Sequence, residues 1–193
     1  MKELFDIENI RERVMSDSAK VCGITSIKKG EGKTYISSLL QESMLQIGDK
    51  TLLISADGNW ETNKSRYAEE TIFCVKDLND FQAQEIDSEK VRVIAFHNFS
   101  NFDKFVYSRE YELFLEECKE KYDHILVDMA ALSEQSVSKK MCELCDDTMI
   151  VVSKDVENGL EVRKEVEQLR SVGAKIKGII LNKHSFKRTI FKM

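Results

Sequence analysis

The stretch VCGIT, Val21 to Thr25, runs directly into SIKKGEGKT, Ser26 to Thr34, and a hydrophobic period follows at Ile36, Leu39, Leu40, Met44 and Ile47. The first five residues are apolar without polar alternation, which reads as a strand buried on both faces. The period of about 3.6 after the loop reads as a helix. The loop closes on Gly32-Lys33-Thr34, the end of the phosphate-loop pattern GxxxxGKS/T, with Ile27 at the position of its first glycine. Gly30 and Gly32 let successive backbone N–H groups converge on an anion, and the helix N-terminus adds partial positive charge. Lys33 would reach the β- and γ-phosphates of a nucleotide, and the Thr34 hydroxyl would bind Mg²⁺. The candidate nucleotide-binding stretch is Lys28, Lys29, Gly30, Glu31, Gly32, Lys33, Thr34 and Tyr35.

Outward from this loop the chain alternates. Short β-branched runs recur at Thr51 to Ile54, Val91 to Phe96, Ile125 to Val127, Thr148 to Val152 and Gly178 to Leu181. Helical periods lie between them, at Tyr111, Phe114, Leu115, Cys118 and Tyr122, at Val137, Met141, Leu144 and Cys145, and at Val162, Val166, Leu169 and Val172. Gly48 and Gly173 stop two of these helices, and Asn158 with Glu161 resembles a capping box. A further helix runs from about Leu4 to Met15. This order predicts a three-layer α/β fold with a mostly parallel central sheet, right-handed crossovers and a ligand site at the carboxyl ends of the strands. Residues 1–193 read as one domain, with an N-terminal helical segment at 1–18 and a basic tail at 184–193.

Composition narrows the classes. The chain of 193 residues is 42% hydrophobic and 33% charged, too apolar for disorder. A net charge of −5 argues against a nucleic-acid partner held by bulk charge. No apolar run reaches the roughly 18 residues of a membrane span, and the acidic start MKELFDIENI is unlike a signal peptide. Five cysteines at irregular spacing point to reduced thiols and a cytoplasmic location. With no proline, turns rest on Gly, Asn, Asp and Ser.

Two carboxylates end buried runs. TLLISAD closes on Asp57 and YDHILVD on Asp128. A carboxylate just past a strand on the phosphate-loop edge can hold Mg²⁺ directly or through water. Asp57 also suits a turn before Gly58-Asn59, and Asp128 suits a helix cap. Lys33, Asp57 and Asp128 are the candidate catalytic residues; Thr34, Asp57 and Asp128 are the candidate metal ligands.

These residues, in this order, resemble the bacterial tyrosine kinases of the capsule and exopolysaccharide type, a branch of the P-loop class that also holds the partitioning and Min-type ATPases. TSIKKGEGKT is similar to that family's TSxxPGEGKS, with Lys29 where proline is usual. TLLISADGN resembles its LLIDxDxR, and the segment Ser108 to Ala130 resembles SxxFxxLLxxLxxxYDxIIIDTPP, with Met129, Ala130 and Ala131 in place of Thr-Pro-Pro. GIILNKH resembles the closing strand, whose asparagine contacts the adenine edge and falls on Asn182. Glu8, Arg11 and Val14 lie on the ExxRxxR assembly motif, with Val14 for the last arginine and Arg13 one residue early. KKGEGKT can also be laid on KGGxGKS/T of the partitioning and Min-type ATPases, which puts Lys28 on their signature lysine; a solvated loop charge is the other reading of Lys28. The resemblance implies ATP or ADP with Mg²⁺, a membrane-anchored activator supplied by another chain that recruits the protein to the inner membrane face, and self-association through the N-terminal helix, weakened here by Val14.

The departures bear on chemistry. Ser55 stands where the family has the first Asp of its second motif, the favoured base for the tyrosine hydroxyl, and a serine hydroxyl cannot take that proton at neutral pH. The chain ends HSFKRTIFKM without the family's tyrosine cluster. Of its tyrosines, Tyr111 and Tyr122 read as core and Tyr67 as the most accessible. The implied function is an ATP-dependent protein-tyrosine kinase regulating polysaccharide synthesis. A degenerate nucleotide-binding regulator and a Min-type positioning ATPase are the alternatives.

Other features read more simply. Cys142 and Cys145 form a lone CxxC, short of the four ligands a structural zinc takes, and read as core thiols. FHNFSNFDKFVY, Phe96 to Tyr107, reads as a loop pinned to the core by its phenylalanines, with a partner surface as the alternative. Trp60, three residues after Asp57, reads as a loop residue covering its own base or as one flanking the ligand mouth, and His97, His124 and His184 receive no catalytic role. Phe186, Ile190 and Met193 among basic residues make either a frayed end or a short amphipathic segment.

Overall fold

The computed structural model describes residues 2–57, 65, 67–77, 86–96, 99, 101–153 and 159–182, with side chains from residue 6 onward. Helix α1 (Lys2–Met15) leads into β1 (Val21–Ser26), α2 (Lys33–Gln46), β2 (Thr51–Ala56), β3 (Ile72–Val75) and β4 (Val93–Phe96). Then follow α3 (Phe102–Val106), α4 (Arg109–Lys121), β5 (His124–Met129), α5 (Val137–Leu144), β6 (Asp147–Ser153), α6 (Gly159–Ser171) and β7 (Ile176–Asn182).

The strands form one sheet in the order β3-β4-β2-β5-β1-β6-β7, and every pairing is parallel. Alternate side chains along each strand enter two separate cores. Leu53, Val93, Leu126, Met149 and Val151 pack under α1 and α2, while Ile54, Ile94, Ile125, Val127 and Ile150 pack under α3 to α6. That is the three-layer arrangement expected for strands covered on both faces. After β1 the chain turns across β5 to β2, and after β5 it crosses back over β1 to β6. The reversal opens a crevice at the carboxyl ends of β1 and β5, where ligands of such sheets bind.

The sequence reading differs from the fold in a few places. Strand β3 was not expected; it is a short edge strand whose residues are mostly half-buried, so its apolar run is only four residues long. Inside the aromatic stretch, residues 102–106 form helix α3, and Phe96, Phe102, Phe105 and Phe114 stack at centroid distances of 5.1 to 6.5 Å. Ile47 does not join the buried face of α2: it lies past the helix end and is 52% exposed. Val172 likewise lies beyond α6 and is exposed. Gly58, Asn59, Trp60, His97, Asn158 and the tail from Lys183 to Met193 lie outside the described residues.

Cys22, Cys118, Cys142 and Cys145 are buried and Cys74 is exposed on β3; none is in a disulfide. Burial pushes the Cys22 and Cys142 thiols up to about 12, and the Cys142 sulfur rests 3.8 Å from that of Met129. The CxxC pair is core packing.

Candidate nucleotide and metal site

The loop between β1 and α2 is held open by its glycines. Gly30 and Gly32 have φ of 85° and 91°, left-handed values that a side chain would strain, and Gly32 is the cap from which α2 starts. Ile27, at the pattern's first glycine position, is buried in the core under α3 to α6, so that departure is absorbed by packing. The Thr25 hydroxyl donates to the Ala130 carbonyl at 2.9 Å, and the backbone N–H groups of Leu132 and Ser133 donate to the Ser26 and Ile27 carbonyls. These bonds fix the loop's inner arm to the segment after β5.

Lys33, Thr34 and Ser37 start α2 with their side chains over the ends of β2 and β5. Lys33 is buried, its ammonium 3.8 Å from Asp57 Oδ2. The Thr34 hydroxyl donates to the same carboxylate at 3.3 Å. Asp57 follows β2, and Asp128 lies on β5 in register with Ser55, on the face turned to α2. Lys33, Thr34, Asp57 and Asp128 are therefore brought together at the end of the sheet.

Asp128 is the unusual member. It is fully buried, and its Oδ2 has no hydrogen-bond partner. Its Oδ1 faces the Ser37 hydroxyl at 3.4 Å, but that single proton has a shorter path to the Lys33 carbonyl at 2.9 Å. Burial, and then the neighbouring Asp57 carboxylate, raise Asp128 to about 7, against the opposing pull of Lys33. A buried carboxylate oxygen without a partner is costly. A hard cation with its waters would satisfy it, and the donors here, two carboxylates and a hydroxyl, are the oxygen ligands Mg²⁺ takes alongside phosphate oxygens. The residues present fit the ion.

The other predicted residues are placed differently. Lys28 and Lys29 are exposed and paired with Glu161 at 2.7 Å and Glu134 at 2.9 Å. Tyr35 is half-buried and packs against the core under α1 and α2. Glu31 is turned away from the loop's hollow: it is 4% exposed, and its carboxylate accepts the Lys28 N–H at 2.8 Å and the Ser153 N–H at 3.2 Å. Asn182 is buried, and its side-chain amide donates to the Glu31 carbonyl at 3.0 Å. Sequence reasoning passed over Ser37, whose i+4 spacing from Lys33 was the available signal. Nothing in the sequence marks the inward turn of Glu31.

Two expectations about surface residues change. Arg11 donates to Ser43 at its carbonyl (3.2 Å) and hydroxyl (2.9 Å), and Val14 is 2% exposed. Two of the three positions of the assembly motif are thus used inside the chain. Tyr111 and Tyr122 are core as expected, but Tyr67 is half-buried with its hydroxyl on Ser38, while Tyr107 is 62% exposed. His124 lies 3.2 Å from Asp49 at the opposite end of the sheet. Among the described residues no helix is long and apolar enough to cross a membrane.

No protein-family model matches the chain. Among characterised proteins it is similar to the tyrosine-protein kinase CpsD of Streptococcus pneumoniae, at 25% identity over 181 residues, covering 89% of this chain and 79% of that protein. Among solved structures it resembles the kinase domain of the Escherichia coli tyrosine kinase ETK, with a TM-score of 0.75 and 20% identity over 96% of this chain and 76% of that one. It also resembles the septum site-determining protein MinD of Pyrococcus horikoshii, solved with Mg-ADP, with a TM-score of 0.62 and 20% identity over 88% and 72% of the two chains. With the loop, the two acidic strand ends and the all-parallel sheet already in place, the chain is similar to the tyrosine-protein kinase CpsD and has the P-loop fold that the ETK kinase domain and MinD also have.

Proposed function

We propose that the chain binds ATP and ADP with Mg²⁺ at the loop from Lys28 to Tyr35 and acts as a protein-tyrosine kinase in the control of capsular or extracellular polysaccharide synthesis. The observation that carries this reading is the buried Asp128 carboxylate, its Oδ2 without a hydrogen-bond partner, facing Thr34, Asp57 and Lys33 across the end of the sheet. The backbone N–H groups between Gly30 and Thr34 cradle the phosphates, and Lys33 sets its charge against the β- and γ-phosphates. Thr34, Asp57 and Asp128 would hold Mg²⁺. The ion bound there would neutralise charge on the phosphoryl oxygens. Asn182, whose amide donates to the Glu31 carbonyl at the end of β7, would contact the adenine edge, as the resemblance implies.

Phosphoryl transfer through a loose transition state depends more on positioning and charge than on a base, so transfer survives Ser55 at reduced rate. An activator chain at the membrane would recruit the protein and raise that rate. Incubating the purified chain with Mg-ATP, with and without an activator segment, and probing for phosphotyrosine tests the reading. Phosphate on tyrosine supports it; nucleotide binding without any transfer rejects the kinase step.

A second reading, a nucleotide-dependent regulator that transfers nothing, is favoured by one observation. Ser55 is buried beside Asp128 in the sheet register, where the kinases carry an acid, so the described site offers no carboxylate there to accept a proton.

A further inference from the structure

The outer arm of the phosphate loop, residues 28 to 31, has no regular secondary structure to hold it. The Ser26 hydroxyl donates to the Lys28 carbonyl at 2.8 Å and Lys29 pairs with Glu134 at 2.9 Å, but the buried tie from this arm to the neighbouring strand ends is Glu31. One carboxylate oxygen takes the Lys28 N–H at 2.8 Å, three residues back in the same loop. The other takes the Ser153 N–H at 3.2 Å, at the last residue of β6. Its carbonyl takes the Asn182 amide at 3.0 Å, at the last residue of β7. The Lys28 side chain continues the link to Glu161 in the first turn of α6.

A negative side chain in a polyphosphate-binding loop is unexpected on charge grounds alone, because it repels the ligand. Two charge-assisted N–H bonds turn it away from the hollow and make it an anchor. We propose that Glu31 is a positioning residue: it ties the phosphate loop to the ends of β6 and β7, so the loop has its binding shape before a nucleotide arrives, and the strand end that carries Asn182 moves as one piece with the phosphate cradle. The inference rests on the loop being the nucleotide site. It differs from that reading in assigning affinity to a side chain that does not touch the ligand. Preorganisation of this kind raises affinity by removing the ordering cost at the moment of binding.

The two views of Glu31 predict opposite signs. If it were only a charge near the phosphates, its removal would tighten binding. As an anchor, its removal loosens the loop and weakens binding. Wild type, Glu31→Ala and Glu31→Gln are titrated with Mg-ADP and with Mg-pyrophosphate, and amide hydrogen exchange is followed residue by residue in the ligand-free proteins. Glu31→Ala should weaken both ligands by roughly tenfold or more, the effect of losing charge-assisted bonds that order a loop. Glu31→Gln keeps an oxygen for one N–H but sets its own NH₂ against the other, so its loss is smaller. Exchange should quicken at the Lys28 and Ser153 amides while the amides of β1 and β5 keep their protection; a general loss of stability would speed all of them.

Unchanged or tighter binding in both variants overturns the proposal, as does unchanged exchange at Lys28 and Ser153. If wild type binds neither ligand, the nucleotide reading falls, and the exchange measurement alone decides whether Glu31 anchors the loop.

Discussion

Replacing Asp128 with asparagine should stabilise the ligand-free protein at alkaline pH while destroying its metal site. The wild-type carboxyl is raised from its ordinary 3.8 to about 7 by burial and by Asp57. Between those two values the folded state binds a proton that the unfolded chain has released. Stability from this group is therefore whole at acid pH, falls as pH rises from about 4 to 7, and stays lost above that. Each tenfold change in proton affinity is worth about 1.4 kcal/mol, so the loss by pH 8 has an upper bound of about 4 kcal/mol. Asparagine has the same shape and does not titrate. Its NH₂ still needs an acceptor in a site with few, which reduces the net gain to roughly 1–3 kcal/mol. For a domain of this size that is a rise in Tm on the order of 2–10 °C. Thermal unfolding in a chelator, without nucleotide, at pH 5 and pH 8 measures it. Asp128→Asn should melt above wild type at pH 8, with the gap shrinking at pH 5. An equal difference at both pH values, or wild type more stable at pH 8, would refute the account of Asp128 as an ionised, poorly solvated acid. With Mg-ADP added, wild type should gain stability and the variant little.

Lys33→Ala should abolish most nucleotide affinity in a direct titration, since it removes the buried cation facing the phosphates; wild-type affinity in the variant would exclude the loop as the site. Ser55→Asp places a carboxylate on the same strand face as Asp57 and beside Asp128, and should raise transfer to a tyrosine-rich peptide by about 10²–10⁴. Equal, undetectable transfer by both proteins would leave the non-catalytic regulator as the better reading. Self-association should be weak: light scattering at micromolar concentration should give a mass near that of one chain, because Arg11 is held by Ser43 and Val14 is packed in the core. A stable octamer would contradict this.

What could be read in the sequence was local. Apolar runs without alternation gave the central strands, and the 3.6 period gave the long helices, because burial on both faces or one face imprints directly on spacing. Asp57 and Asp128 stood out because each breaks an apolar run at its end. Glu31 did not stand out, because its partner Ser153 is 122 residues away and is a backbone N–H, which no side-chain pattern records. Arg11 failed for a related reason. Its spacing matches an assembly motif, but the Ser43 groups that take its guanidinium lie on another helix. Strand β3 escaped because an edge strand of four residues, of which only Val75 is buried, carries little hydrophobic signal. Pairings across the fold were hidden wherever the partner was main chain.

The distribution of sulfur has a practical consequence. Four of the five thiols are buried, and Cys74 alone is exposed, on the edge strand two places from β2 in the sheet. The unaltered chain thus carries a natural attachment point for a maleimide dye. One fluorophore per molecule at that edge, away from the loop after β1, would report assembly or encounter with a partner by anisotropy without any cysteine having to be added or removed.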